Sequence, residues 1–244
     1  MRVSISWLKQ LVQVNESVDD LSERLSMAGF EVDDVDDLSA RAQGVVVGHV
    51  LERDKHPNAD KLSVCSVDVG AQEPLQIVCG ASNVRAGIHV PVAMVGATLP
   101  AVGLTIKAGE LRGVASNGMI CSLKELGLTE QSDGIAILDE LQESLPPTGS
   151  PVAPLLGLDD TVLELAITAN RPDGLSMVGI AREVAALTGG ELSLPELDLD
   201  PSTTLLNTEL DGCFYSITRI EGVDGSKPSP TWLQQRLARG GVNS

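Results

Sequence analysis

The spacing of apolar residues in the first forty positions predicts alternating strand and helix. Val3 and Ile5 alternate with polar neighbours, which is typical of a short half-buried strand. Leu21 and Leu25 recur at helical spacing behind a Ser-Val-Asp-Asp capping sequence. An earlier helix is indicated by the helical spacing of Trp7, Leu8, Leu11 and Val12, and the segment Phe30-Glu31-Val32 predicts a strand after the second helix. The segment 1–38 therefore predicts a strand, two helices and a strand.

The pattern changes from about residue 44 into short runs rich in β-branched residues. Gly, Pro and Asn separate these runs at intervals of roughly ten residues, which is typical of a small sandwich or barrel. The runs are GVVVGHVLER, LSVCSVDVG, LQIVCG, HVPVAMV, LTIKAGELRG, GMICS and GIAIL. The sequence LPPTGSP at 145–151 predicts a connector.

Helix and strand mix again after residue 151. A β-branched strand, TVLELAIT, precedes a helix that Asp173 or Ser176 would cap and that Gly189 would end. Residues 191–203 are acidic and contain proline, so they predict a linker. The last residues predict one strand, CFYSITRIEGV, and one helix, PTWLQQRLARGG. One strand and one helix cannot bury a core, so we expect a piece of a longer chain.

Charge and composition restrict what this chain can bind. The formal net charge is −17, and acidic charge opposes non-specific attraction to nucleic acid. The middle part, 40–150, is the least acidic per residue, with eight Lys and Arg against twelve Asp and Glu. No Phe, Tyr or Trp lies between Phe30 and Phe214, so a barrel there has no aromatic surface for stacking bases except histidine.

Cysteine spacing gives no sign of a metal site or of a disulfide scaffold. The cysteines are Cys65, Cys79, Cys121 and Cys213, and no pair has CxxC spacing or completes a zinc pattern with the three histidines. We expect the first three to be buried apolar groups on strands. The start of the chain has no long apolar signal region, and no run of about 18 apolar residues predicts a membrane span. These features predict a cytoplasmic protein without a bound metal.

Enzymatic motifs are absent from the sequence. There is no P-loop, GxSxG, HExxH or strand-associated GxGxxG pattern, so no catalytic residue is predicted. Arg171 and Asp173 are close in sequence, and we interpret them as a structural pair.

Three polar turn segments provide candidates for RNA binding. They are HPNADKL at 56–62, IVCGASNVR at 77–85 and LRGVASNGMICS at 111–122. Ammonium, guanidinium, amide and hydroxyl groups there are suitable partners for phosphate and ribose oxygens. Each segment alone could equally be a β-turn with a polar tip. The candidates are Lys55, His56, Asn58, Lys61, Asn83, Arg85, Lys107, Arg112, Ser116, Asn117 and Lys124.

Taken in order, these three segments resemble the OB-type tRNA-binding domain. That domain is shared by phenylalanyl-tRNA synthetase β subunits, some methionyl-tRNA synthetases and free-standing tRNA-binding proteins. The flanks VSISWLKQLV, LSERLSMAGFEVDDV and TANRPDGLSMVGIAREVAALTG resemble the N-terminal part of the bacterial-type β subunit. The chain has Thr-Ala-Asn-Arg at 168–171, where the family is expected to have Thr-Pro-Asn-Arg.

The resemblance implies an α+β multidomain chain. An OB-type β-barrel at 40–150 would be inserted into a discontinuous α+β domain formed by 1–38 and 152–200. Residues 205–244 would be the truncated start of the editing (B3/B4-type) domain, with the editing residues beyond Ser244.

The resemblance also implies a non-catalytic role within phenylalanine–tRNA ligase. The aminoacylation site would belong to the α subunit in an α2β2 heterotetramer. ATP and Mg²⁺ would serve the whole enzyme and not this fragment, and no membrane is involved. The barrel would be an accessory tRNA-binding site that reads RNA backbone and shape, weakly and with strong salt dependence. A free-standing tRNA-binding module and a purely structural scaffold are the alternatives.

Overall fold

The computed structural model describes residues 1–142, 144–195, 206–210, 213–217 and 219–242. For 206–210 and 213–217 it describes the backbone only. The part of the predicted linker that follows residue 195 lies outside the described residues.

Short strands dominate the described part of the chain. In chain order the strands are β1 (Arg2–Ser4), β2 (Glu31–Asp37), β3 (Val45–Lys55), β4 (Ser63–Asp68), β5 (Leu75–Cys79), β6 (His89–Ala93), β7 (Thr98–Leu99), β8 (Leu104–Thr105), β9 (Gly109–Leu111), β10 (Val114–Ser116), β11 (Met119–Ile120), β12 (Thr161–Ala166), β13 (Leu206–Leu210) and β14 (Cys213–Ile217). The α-helices are α1 (Ile5–Leu8), α2 (Val18–Met27), α3 (Leu138–Leu141), α4 (Met177–Thr188) and α5 (Thr231–Arg239). Short 3-10 helices span Leu38–Ala42, Pro100–Val102 and Pro172–Leu175.

Strands from distant parts of the sequence form one small antiparallel sheet in the order β1-β12-β2. Val3 lies opposite Leu163, and both side chains are fully buried. Helices α2 and α4 contribute Leu25 and Ile180 to the same core. The predicted order of strand, helix, helix and strand at 1–38 is confirmed. Ile5 was expected in the first strand but begins α1, because the Ser4 hydroxyl caps that helix by accepting from the Trp7 amide.

The local signals that end and begin helices behave as predicted. The Ser17 hydroxyl accepts a hydrogen bond from the Asp20 amide at the start of α2, at 3.1 Å. Ser176 caps α4 in the same way through the Gly179 amide. Gly189 ends α4 in the left-handed conformation, with φ 72°.

The strands between residues 45 and 120 form a nearly closed antiparallel barrel of OB type. Five of them are hydrogen-bonded in the order β11-β6-β3-β4-β5. Two backbone amides help to bridge the gap between the two edge strands: the Asn117 amide donates to the Gln76 carbonyl, and the Val78 amide donates to the Ser116 hydroxyl. Position 48, inside the barrel, requires glycine, because a Cβ there would lie 2.5 Å from a methyl carbon of Val92.

A second apolar cluster packs on the outside of the barrel and joins it to the small sheet. It includes Val45 and Val47 of β3, Leu158 in the loop before β12, and Val162 of β12 itself. Strand β3 therefore buries residues on both faces between Val45 and Val50, which explains the mainly apolar sequence of that part.

Two of the predicted strands differ in the structure. The run LTIKAGELRG is divided into β8 and β9. The run GIAIL at 134–138 is no strand, although it is apolar and largely buried. The Asn83 side chain bonds both the amide and the carbonyl of Ile135, so these backbone groups need no neighbouring strand.

A buried carboxylate lies where the chain returns from the barrel to the small sheet. Asp160, whose side chain is 1% exposed, accepts hydrogen bonds from the hydroxyls of Ser4 and Ser6 at 2.5 and 2.7 Å. The amides of Ser6 and Thr161 each donate to it at 2.9 Å. The guanidinium of Arg239, on α5, lies 3.3 Å away. Asp160 thereby links β1, α1, β12 and α5.

The cysteine thiols of the barrel region are buried, as predicted. Cys65 lies in β4, Cys79 in β5, and Cys121 directly follows β11. Burial is the main cause that raises the pKa of Cys65 to about 11 and that of Cys121 to about 12. It also raises the pKa of Cys79. Because the thiolate is the nucleophilic form, these side chains are chemically inert near neutral pH.

Replacement of Asp160 by alanine should strongly destabilise the fold. Its loss leaves the Arg239 charge and two hydroxyls without their shared acceptor, so we expect a loss of about 3 kcal/mol in the free energy of unfolding. Urea denaturation measures this value. The neighbouring exposed Asp159→Ala provides the control and should change stability by less than about 0.5 kcal/mol. Equal effects of the two substitutions would contradict the role of Asp160.

The three buried thiols should resist alkylation by iodoacetamide at pH 8 until the protein is unfolded. The pKa of each thiol in the folded protein lies above the unfolded value of 9.0, so all three stay protonated at pH 8. Their full contribution to the free energy of unfolding is therefore present below pH 9. That contribution should be lost as the pH rises from 9 towards 12. Peptide mass spectrometry with and without urea follows each cysteine separately. Rapid modification of Cys121 in the folded protein would overturn this prediction.

Candidate nucleic-acid interface

The last residue of β3 and the loop that joins β3 to β4 together hold four of the predicted RNA-binding residues. The His56 amide donates to the Leu62 carbonyl, which closes the loop at 3.2 Å. Lys55 forms an ion pair with Asp60 at 3.0 Å, and both side chains are largely exposed. Such an exposed pair contributes little to stability, so the Lys55 ammonium can exchange this partner for another anion at small cost. Lys61 is exposed in the same loop.

His56 is buried inside this loop, with only 2% exposure. Its Nδ1 accepts from the Asn58 amide at 3.0 Å, and its Nε2 lies 3.0 Å from the Leu111 carbonyl oxygen. A carbonyl only accepts, so the hydrogen must lie on Nε2 and the ring must be neutral. Both ring nitrogens are occupied, and His56 cannot itself contact RNA in this arrangement.

Asn58 extends the same connection to the next residue of the β9–β10 hairpin. Its Nδ2 donates to the Arg112 carbonyl at 3.0 Å. Two loops that are separated by about fifty residues in sequence are thus joined by side-chain bonds to consecutive carbonyls, those of Leu111 and Arg112.

The hairpin itself turns in two residues. Leu111 pairs with Val114, and the two residues between them, Arg112 and Gly113, have φ values of 53° and 82°. Positive φ at both central positions identifies a type I′ turn. The Arg112 side chain is exposed at its tip.

These contacts hold the β3–β4 connection, with exposed Lys55 and Lys61, against the turn that carries exposed Arg112. One further exposed cation, Arg53, was not among the residues predicted from the sequence. Arg53 is exposed on β3 two positions before Lys55, and its Nε donates to the Ser63 hydroxyl at 2.9 Å. The period of two along a strand places alternate residues on one face, and this signal could have identified it.

The other candidates have different surroundings, and several are bonded within the fold. The Ser116 hydroxyl is buried and bonds β5 to the segment before β11, and the Asn83 side chain holds Ile135. Arg85 is paired with Glu140 of α3 at 3.0 Å, both exposed. Asn117 is exposed and next to Ser116.

Two lysines complete the predicted set. Lys107 is exposed in the loop between β8 and β9, and Lys124 is exposed in the turn after β11. The described contacts connect neither of them to the paired loops, so the strongest cluster is formed by the β3–β4 loop and the β9–β10 turn.

Arg171 and Asp173 form a structural network, as the sequence predicted. The Arg171 guanidinium lies 4.1 Å from the centre of the Phe30 ring and 2.8 Å from Glu183 on α4. It also bonds both carboxylate oxygens of Asp173, and these hydrogen bonds hold the pKa of Asp173 below its usual value. The network holds the 3-10 turn before α4 against α2, since Arg171 also reaches the Ala28 carbonyl.

A metal-binding cluster and a membrane-spanning helix are both absent from the described residues. Within them, no three His, Cys, Asp or Glu side chains lie close enough to hold a metal ion. In the same part of the chain, no helix combines the length and apolar character needed to cross a membrane.

Comparison with known proteins identifies relatives of the barrel and of the whole chain. Residues 45–146 match the family described as "Putative tRNA binding domain". The phenylalanine–tRNA ligase β subunit of Synechococcus sp. (strain CC9605) is 94% identical over 244 residues, which is 100% of this chain and 30% of that protein. The β subunits of Synechococcus sp. (strain CC9902) and Synechocystis sp. are 73% and 56% identical, over 100% and 99% of this chain and 30% of each relative.

The chain therefore spans about 30% of the length of these relatives. The similarity covers the barrel and both of its flanks, with all of the segments that suggested the resemblance. Over its whole length, this chain corresponds to a part of phenylalanine–tRNA ligase β subunits, at 94% and 73% identity to two of them.

Proposed function

We propose that this chain is the part of a phenylalanine–tRNA ligase β subunit that supplies an accessory tRNA-binding barrel and a scaffold. The complete enzyme would attach phenylalanine to its tRNA with ATP and Mg²⁺ in the cytoplasm. The proposal rests chiefly on the exposed cations Lys55, Lys61 and Arg112 on two loops that His56 and Asn58 join. Full-length similarity to β subunits supports it.

The domain organisation that we propose has the barrel at 40–150 inserted into an α+β domain made of 1–38 and 152–200. The pairing of β12 between β1 and β2 supports this arrangement, because these strands flank the barrel in sequence. Residues 205–244 would begin the editing domain. An α subunit would carry the aminoacylation site and would complete an α2β2 heterotetramer.

RNA binding by this barrel would depend on charge and not on base stacking. OB barrels commonly stack bases on aromatic side chains, and this one has none outside its histidines. Ammonium and guanidinium groups contact phosphates without reading sequence, and each contact releases counterions. The expected binding is weak, tolerant of sequence and sensitive to salt.

A purely structural role for the barrel is the second candidate function. The net charge of −17 favours it, as does the burial or internal bonding of His56, Asn83 and Ser116. A free-standing tRNA-binding module is less well supported, because the similarity to β subunits continues through both flanks of the barrel.

Substitution of the clustered cations tests RNA binding. We expect the 244-residue chain to bind unmodified tRNA, and Lys55/Lys61/Arg112→Ala to weaken it. Loss of three phosphate contacts should lower the slope of log affinity against log salt by about 2 to 2.7. Fluorescence titration over a range of salt concentrations measures this slope.

A matched control separates local contacts from the effect of net charge. Lys9/Arg182/Lys227→Ala removes two lysines and one arginine that are exposed outside the barrel. Affinity and slope should stay close to the parent values in this variant. Equal losses in the two triple variants would refute the proposed interface, and no binding by the parent chain would favour the scaffold.

A further inference from the structure

The first central residue of the β9–β10 turn, Arg112, is not a residue type that the backbone conformation of this turn favours. Type I′ turns require positive φ at both central positions and strongly prefer Asn-Gly, Asp-Gly or Gly-Gly. Here the second position is Gly113, but the first is Arg112, with φ 53°. Among the described residues it is the one non-glycine residue with positive φ. A left-handed backbone conformation costs free energy in a residue with a long side chain, and it persists only where the surroundings of the residue enforce it.

The surroundings that enforce this conformation are His56 and Asn58. The buried imidazole donates to the carbonyl of Leu111, the residue before the turn. The Asn58 side-chain Nδ2 donates to the carbonyl of Arg112 itself. A Cβ on the next residue, Gly113, would lie 3.7 Å from the same Asn58 nitrogen, so the loop and the turn are in close contact. Carbonyls held at both positions oppose rotation of the turn into another conformation.

The Arg112 side chain does not contribute to this arrangement. It is exposed, and among the described residues it forms neither a salt bridge nor a side-chain hydrogen bond. A cation therefore occupies a strained position where asparagine would fit better and where the guanidinium has no bonded partner among the described residues. Strain of this kind is concentrated at sites of binding and catalysis.

We propose that Arg112 is a phosphate-contacting residue presented by a strained turn, and that His56 and Asn58 are positioning residues that act through it. The inference deepens the proposed function and rests on it. It changes the role of two sequence candidates, because His56 and Asn58 would affect RNA binding without touching RNA. The ligand is the RNA sugar–phosphate backbone, to which a guanidinium can donate two parallel hydrogen bonds.

The first test is Arg112→Asn, which removes the cation and supplies the residue that the turn prefers. We expect the melting temperature to rise and the salt slope for tRNA binding to fall by about 0.7 to 0.9, as for one lost phosphate contact. Arg112→Lys keeps the charge and should retain the parent slope. A variant that binds with the parent slope, or that is less stable than the parent, would overturn the proposal.

The second test separates positioning from a merely structural role. His56→Gln keeps a donor near the Nε2 position, and His56→Asn keeps an acceptor near Nδ1, so each removes one of the two bonds. Hydrogen exchange at the amides of 110–115 should accelerate in both variants, and tRNA affinity should fall.

A double-mutant cycle then provides the decisive comparison. If His56 acts through Arg112, its substitution should weaken tRNA binding in the parent and have no further effect in the Arg112→Asn background. Independent, additive losses would refute the positioning role. Should a His56 variant fail to fold, Asn58→Ala, at an exposed side chain, serves in the same cycle.

The outcomes distinguish this inference from the proposed function. If the parent chain binds no tRNA, the proposed function fails and the inference fails with it. If the parent binds with strong salt dependence but Arg112→Asn leaves the slope unchanged, the proposed function survives and only the inference is overturned.

Discussion

The fold depends on one constraint, which is that the chain must leave and re-enter the small sheet at the same point. Asp37, the last residue of β2, lies opposite Thr161, the first of β12, and the Leu38 amide bonds to the Asp160 carbonyl. More than one hundred residues, including the barrel, lie between these neighbours. The buried Asp160 carboxylate satisfies four donors around this junction and meets the Arg239 guanidinium there. The outer apolar cluster, which contains both Leu38 and Val162, then holds the barrel against the sheet.

Local rules explain the parts of this fold that the sequence predicted well. Helix caps such as Ser17 and Ser176 act through side chains three residues or fewer from their partners, so the short-range pattern contains the whole interaction. The β-branched runs likewise predicted most of the barrel strands. The run at 134–138 was predicted wrongly: both backbone groups of Ile135 are bonded by the Asn83 side chain, about fifty residues away, and no periodicity reveals such a partner.

The sequence predicted which segments form the candidate site, but not which of their residues are exposed and which are buried. Lys55, His56 and Asn58 look equally available in the sequence, as polar residues of one turn. Only the packing of the β9–β10 hairpin against them separates an exposed cation from a buried ring with both nitrogens occupied. The Arg-Gly pair at 112–113 does not predict a type I′ turn either, since the preferred residues differ and the contacts that compensate come from another loop.

Because the chain is acidic and its barrel has no Phe, Tyr or Trp, RNA binding must depend strongly on where each cation lies. Without stacking, each contact with RNA depends on a charge, and the long-range field of a chain with net charge −17 repels the ligand. Screening at physiological salt limits that repulsion to roughly 8 Å, so contacts within the interface are determined by the nearest charges. A few cations fixed at one edge can therefore act locally although the chain as a whole is acidic. A flexible arginine would lose conformational entropy on binding, whereas a turn held by His56 and Asn58 restricts the backbone of Arg112 before RNA arrives.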